Sequence, residues 1–220
     1  ADMESEQSKD DRNRQNALIV DRGLAKSGTK VHGVNPALLI EKILRERIQD
    51  AHYWHLRASQ LGFYEVLDEC VESVVVVGTY VNAARTKACK FVVLLFRLLQ
   101  FEVLPEDVVE WLVAGEHGFK YLSVLFMVYA RLMWEDQAKL WTVLEARLDD
   151  FRRIRVVENG AVRLAHVDEI ADSLLEEAKF VDMALPRLVN RWVLEEQGVL
   201  EERESALVDE FERELEDAES

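Results

Sequence analysis

Two segments leave this chain little choice of architecture. Residues 87–101 are apolar on nearly every side, interrupted only by Lys90, Arg97 and Gln100, and residues 119–134 are built in a similar way. A helix without a polar stripe has no face to offer to water and must be packed by neighbours on several sides. Neither segment reaches the ~18 uninterrupted apolar residues of a membrane span, because Phe91–Phe96 ends at Arg97 and the earlier run Val74–Val77 ends at Gly78. Two such helices require a surrounding shell of half-apolar ones.

The rest of the sequence supplies that shell. Asn35 followed by Pro36 has the form of a helix N-cap with proline at the first helical position. Beyond it Leu38, Leu39, Ile43, Ile48 and Trp54 recur at helical spacings with Glu41, Lys42, Arg45, Glu46 and Arg47 between them, which predicts one amphipathic helix. Residues 64–77 form a second, although their run of Val also suits a strand. Pro105 opens a short helix that Gly115 ends. Residues 137–155 are amphipathic through Leu140, Val143, Leu144, Leu148 and Phe151, and residues 167–180 and 187–197 add two more helices. Only residues 156–164 read as β: Asn159-Gly160 suits the positive φ angles of a two-residue hairpin turn and has apolar flanks. The expected fold is all-α, a single multi-helix domain over residues 34–200 with one short β-hairpin. Residues 1–33 are expected to be a flexible arm and residues 201–220 an acidic helix or tail.

Charge narrows the function. The 220 residues carry 42 Asp and Glu against 27 Lys and Arg, a net of −15, which disfavours a free-standing binder of naked nucleic acid. From Glu195 onward twelve acidic residues face Arg203 and Arg213, so −10 lies there and only −5 in the preceding 194 residues. The polar residues 1–16 do not resemble a signal peptide. Cys70 and Cys89 lie in apolar segments without metal-ligand spacing and read as buried thiols of a reducing compartment.

No catalytic constellation emerges. Gly23-x4-Gly28-Thr29-Lys30 has the wrong order for a phosphate-binding loop, which needs Lys before the hydroxyl residue. His52 and His55 lack the further ligands that a metal would require, and Asp168 and Glu169 after His166 suit the first turn of a helix, where a carboxylate is favoured without any catalytic role. Ser123 and Cys89 have no base nearby in the sequence. The residues describe a helical interaction protein with no cofactor, no metal and no small-molecule substrate. Two other classes remain open: a general helix-binding adaptor, and a helical enzyme or small-molecule binder using His52, His55 and His166.

Residues 35–54, from Asn35-Pro36-Ala37-Leu38 to Ala51-His52-Tyr53-Trp54, resemble the opening helix of the pre-mRNA-splicing factor 38 family. Gly78-Thr79-Tyr80, Leu98-Leu99-Gln100 with Pro105, Phe119-Lys120-Tyr121, Tyr129-Ala130-Arg131-Leu132 and Asp150-Phe151-Arg152-Arg153-Ile154-Arg155 follow in the family's order. So do Asn159-Gly160, His166-Val167-Asp168-Glu169, Leu185-Pro186-Arg187-Leu188 and Val193-Leu194-Glu195-Glu196. The resemblance covers residues 34–197. One departure stands out: the family's Lys-Pro-Thr-Pro-Phe stretch is represented by Arg85-Thr86-Lys87-Ala88-Cys89-Lys90-Phe91, without prolines and with two extra residues.

The resemblance implies a nuclear, non-enzymatic spliceosomal scaffold that joins with or alongside the tri-snRNP before catalytic activation. It further implies helices contributed by a zinc-finger splicing factor and a microfibril-associated-type splicing factor, with snRNP RNA met indirectly or through local contacts. Aromatic and Arg anchors carry most of the energy at such interfaces. On that basis Trp111, Tyr121 and Arg131 are candidate partner-binding residues, and Arg152, Arg153 and Arg155 are candidates for RNA or an acidic partner. The alternative for these three arginines is that they end a helix, where its dipole favours cations, or pair with Asp149 and Asp150.

Overall fold

The computed structural model describes residues 23–25 and 28–203. After a 3-10 turn at Pro36–Leu39 come α1 (Lys42–Gln49), α2 (His52–Leu56), a second 3-10 turn at Ala58–Gln60, and α3 (Phe63–Ser73). Then follow α4 (Lys90–Leu99), α5 (Glu106–Ala114), α6 (Lys120–Met133) and α7 (Gln137–Glu145). A hairpin of β1 (Arg153–Glu158) and β2 (Ala161–His166) leads directly into α8 (Val167–Glu176), and a two-residue pair, β3 (Lys179–Phe180) with β4 (Met183–Ala184), completes this unit, which ends at Arg187. From Leu188 the chain forms a separate unit that holds α9 (Arg191–Glu196), in which Arg191 is paired with Glu195. The expected acidic segment at 201–220 falls, beyond residue 203, outside the described residues, as do residues 1–22.

The two all-round apolar segments are the centre of the fold. Every residue of α6 from Leu122 to Met133 is buried, because α3, α4, α5, α7 and α8 all pack against that helix. α4 buries eight residues against α1, α3, α6 and the two 3-10 turns. A fully buried Leu, Phe or Val is worth roughly 1.5–3 kcal/mol, so these two helices dominate the stability of the fold. Arg131 lies within this core. It is only 3% exposed, and its Nε donates to the Leu174 carbonyl at 2.8 Å, in the last turn of α8 where helix carbonyls lack intrahelical partners. Its expected place as a surface anchor is therefore corrected: it caps a neighbouring helix from inside. Burial lowers its pKa to about 10.

Four predicted elements are divided or shortened. The single helix expected after Asn35 is three short pieces, because Ile40 and Ala51 both leave the helical region with ψ 132°. Ala37, Ile40, Leu44, Ile48 and Trp54 face the core, while Leu38 and Ile43 face solvent. Asn35 caps as expected, its Oδ1 accepting from the Ala37 amide at 3.1 Å. The same side chain also holds Ala25 through two 3.0 Å bonds. With Ala25 and Val31 buried and His32 Nε2 3.1 Å from the Leu132 carbonyl, packed structure begins before residue 34.

α3 ends at Ser73, and Val74 is extended; Val77 then pairs in parallel with β1. The helix expected over 137–155 ends at Glu145. Phe151, read as one of its core positions, is 67% exposed, and Ile154, Val156 and Val157 are the buried residues that follow. The helix expected over 167–180 ends at Glu176, and Lys179 and Phe180 are already β.

The hairpin forms at Asn159-Gly160 as expected. Both residues have positive φ, 49° and 79°, the geometry of a two-residue turn that matches strand twist, and Glu158 faces Ala161 across it. Gly160 is required twice over, since a Cβ there would lie 2.5 Å from the Ala83 amide nitrogen. Gly78 stands under a similar constraint: a Cβ would meet Val157 Cγ1 at 2.5 Å and its carbonyl oxygen at 2.7 Å. These two close approaches seat the loop of residues 78–89 on the hairpin.

Candidate partner-binding surface

The predicted site residues fall into three settings. Trp111 is the most exposed of the aromatic candidates, at 53%. Its ring lies 5.4 Å from that of His117, which stacks on Phe119 at 5.8 Å and 18°. The short α5 makes this possible: Gly115 ends the helix in a left-handed conformation, and the chain doubles back so that residues 117 and 119 return beside residue 111. His117 is fixed by its own backbone bonds. Nδ1 lies 3.1 Å from the Phe119 amide and Nε2 3.0 Å from the Leu112 carbonyl. Phe119 is 49% exposed. The result is an open row of three rings, which is where interface energy concentrates when a partner covers it.

Tyr121 sits at the first turn of α6. Its Oη accepts from the Arg155 amide at 3.2 Å, and the neighbouring Lys120 Nζ donates to the Arg153 carbonyl at 2.5 Å. Val77 supplies the other bonds: its amide donates to the Arg155 carbonyl and its carbonyl accepts from the Val157 amide, both at 2.8 Å. Two side chains and one strand residue thus satisfy the inner edge of β1, whose backbone groups would otherwise cost free energy on burial. Tyr121 is a support for the strand more than an anchor for a partner.

The three arginines separate as well. None ends a helix. Arg152 forms a bidentate pair with Asp150, Nε to Oδ1 at 2.8 Å and Nη2 to Oδ2 at 2.6 Å. Burial pushes the Asp150 carboxyl upward, but hydrogen bonds from the Arg152 side chain and backbone outweigh it and hold the group below its usual range. The same hydrogen bond to Asp150 raises Arg152. Arg153 and Arg155 point outward from β1, exposed, and share that face of the hairpin with Val162 and Leu164, which are also exposed. Phe119, Lys120, Tyr121, Arg152 and Arg153 line one cleft of about 590 Å³. The structure therefore brings Tyr121, Arg152 and Arg153 together with Phe119, joins Trp111 to Phe119 through His117 and places Arg131 apart, in the core.

His52, His55 and His166 show no mutual contact among the described residues. His166 begins α8, where Glu169 Oε1 accepts from its amide at 3.0 Å and from its ring at 2.9 Å, while Arg163 lies 3.2 Å from Glu169 Oε2. The hydrogen bond from His166 leads in holding Glu169 below its usual range. Ligand atoms of His166, Asp168 and Glu169 lie within 4.8 Å of one another, but Glu169 is already occupied in closing the helix N-terminus.

The PRP38 family model matches residues 29–198. The chain belongs to the PRP38 family. It is 36% identical over 180 residues to pre-mRNA-splicing factor 38 of Schizosaccharomyces pombe, covering 82% of this chain and 83% of that protein. It is also 36% identical over 196 residues to pre-mRNA-splicing factor 38A of Xenopus tropicalis, covering 89% of this chain but only 60% of the relative. Among solved structures it resembles a chain of the Snu23–Prp38–MFAP1(217–258) complex of Chaetomium thermophilum, with a TM-score of 0.76, 32% identity and coverage of 88% of this chain and all of that one. Membership of the PRP38 family thus agrees with the resemblance read from the motifs.

The ring row at Trp111, His117 and Phe119 was only partly legible. Phe119 and Lys120 belong to a motif shared with the family, but no spacing rule marks which aromatic residues lie exposed on either side of the chain reversal at Gly115.

Proposed function

We propose that this PRP38-family chain is a non-enzymatic, nuclear scaffold of pre-mRNA splicing that joins with or alongside the tri-snRNP before catalytic activation. What carries the reading is its match, over 88% of its length, to a Prp38 chain solved in complex with Snu23 and a segment of MFAP1. Partners of those two kinds contribute segments that dock on this helical body. Trp111 and the rings beside it form one contact. Arg153 and Arg155, whose guanidinium groups have no salt-bridge partner among the described residues, meet acidic side chains or RNA phosphates. Arg152 holds Asp150 and takes part indirectly. A scaffold of this kind biases an assembly only through contacts that differ between its states.

The test is depletion of the protein from a splicing-competent nuclear extract. Splicing should stop before catalytic activation and resume when the purified full chain is restored. Restoration by a chain carrying Trp111→Ala, Arg153→Ala and Arg155→Ala should be at least tenfold less efficient. Unimpaired splicing after complete depletion would overturn the reading.

A further inference from the structure

The hairpin leaves one edge without a neighbour, and the bonds of β1 fix which groups lie along it. The Arg155 amide and carbonyl and the Val157 amide all point away from β2, to Tyr121 and Val77. Facing residues of an antiparallel pair alternate between bonded and non-bonded, so the residues of β1 that bond β2 are Ile154, Val156 and Glu158, through Ala165, Arg163 and Ala161. Val162 and Leu164 therefore turn their amides and carbonyls to the far side of β2. No second strand lies there, and no other bond reaches those groups among the described residues. The His166 amide, next in the same row, is already taken by Glu169 Oε1 at 3.0 Å. The side chains are as open as the backbone: Val162 and Leu164 are 61% and 60% exposed. Arg163, a central charge of the kind that deters strand pairing, lies on the opposite face and is held by Glu158 at 3.6 Å and Glu169 at 3.2 Å.

We infer that β2 accepts an added strand, an extended acidic segment of a partner protein that pairs with Val162 and Leu164; the inference rests on the scaffold reading. Backbone bonds supply the pairing and alternate side chains the choice of segment. Residues i and i+2 of that segment are apolar and cover Val162 and Leu164. On the same face of the sheet stand Arg155, opposite Leu164, and Arg153, opposite His166, neither with a carboxylate in salt-bridge range among the described residues. A residue of the added strand lies two strand spacings from β1, about 10 Å. A glutamate there and an extended arginine can meet across that distance. Charge decides against the other occupants. A second copy of this chain, in the two-fold register that uses both Val162 and Leu164, sets Arg163 directly opposite Arg163, and like charges so placed are destabilising. RNA satisfies the arginines but offers no ladder of amides and carbonyls to the edge.

The experiment places a photo-crosslinking amino acid at Val162, and separately at Leu164, in the full chain. Each protein is irradiated in nuclear extract, and the attached peptide is sequenced and then synthesised. Both positions should capture one acidic segment with apolar residues two apart. Added in excess to the full chain, the synthetic peptide should slow amide exchange at Val162 and Leu164 about tenfold and leave Arg163 and Ala165, already bonded to β1, nearly unchanged. A helix lying over the side chains would not single out alternate amides. Leu164→Pro removes one outward amide and no bond to β1, and should weaken peptide binding about tenfold, the worth of one backbone hydrogen bond. If proline also loosens the hairpin, the exchange pattern of the unaltered chain still decides. Uniform protection along β2, capture of RNA, of this chain itself or of a neutral or basic segment, or nothing above a control crosslinker at exposed Glu102, would overturn the inference. Splicing proteins that co-purify with the same chain are scored in parallel. Co-purification without alternate protection sinks the added strand and spares the scaffold; strand addition without co-purification does the reverse.

Discussion

The inner edge of β1 and the outer edge of β2 present the same backbone groups, yet they carry different obligations. Along the inner edge, Lys120, Tyr121 and Val77 complete the bonding of the strand, and Arg152 beside it is locked to Asp150. Along the outer edge, Val162 and Leu164 have no such partners among the described residues. Counting aromatic and basic residues does not distinguish the two; following each polar atom to its partner does. Substitutions at the inner edge should act first on stability, and substitutions at the outer edge first on binding.

The largest stability effect should come from Asp150→Ala. It leaves the Arg152 guanidinium, two-thirds buried as a side chain, without its bidentate partner, at a cost of about 2 kcal/mol. Urea unfolding should show this as a lower midpoint, and an unchanged midpoint would mean that the pair contributes nothing. Next is Tyr121→Phe, which removes the acceptor for the Arg155 amide and should cost about 1 kcal/mol. Amide exchange read residue by residue should show the loss at Arg155 before the rest of β1.

Acid provides a smaller test of the Asp150–Arg152 pair. The folded-state pKa of Asp150 lies below its ordinary 3.8, so the group binds protons more readily when unfolded. Its contribution is full above the unfolded value and is lost as pH falls through the folded one. The stability gap between the wild type and Asp150→Asn should therefore be constant from pH 7 to about pH 5 and narrow below about pH 4. A gap that widened in acid would reverse the assigned sign. Smallest of all, Leu164→Ser at the outer edge should change the unfolding free energy by less than about 0.5 kcal/mol, as exposed positions do. A larger loss would show that Leu164 belongs to the core and would erase the contrast.

What could be read in advance follows from whether the deciding interactions are local. α4 and α6 were legible because a helix without a polar face has one solution, and the Asn159-Gly160 turn because its φ requirement is local. The breaks at Ile40 and Ala51 were not, since neither Gly nor Pro marks them and burial of Ile40 in extended conformation depends on distant neighbours. Arg153 and Arg155 fit a helical period until Lys120, which bonds the backbone of the first, and Val77 and Tyr121, which bond that of the second, reach them from far off in the chain. Arg131 looked like a surface residue because arginine is rarely buried; its partner is the end of another helix. Of the site, Trp111 is exposed on α5, while its stacking with His117 and Phe119 depends on a chain reversal that no motif announces.

The inner edge of β1 also sets an order of events in folding. The turn at Asn159-Gly160 joins neighbours in the chain and can close within microseconds. The bonds from Lys120 and Tyr121 reach across 33 and 34 residues and cannot form until the first turn of α6 has arrived. An early hairpin would therefore be one-sided and short-lived, since a two-stranded hairpin alone is marginal in water. Its lifetime becomes a clock for the arrival of α6, and slowing that helix, not the turn, should delay protection of the strand.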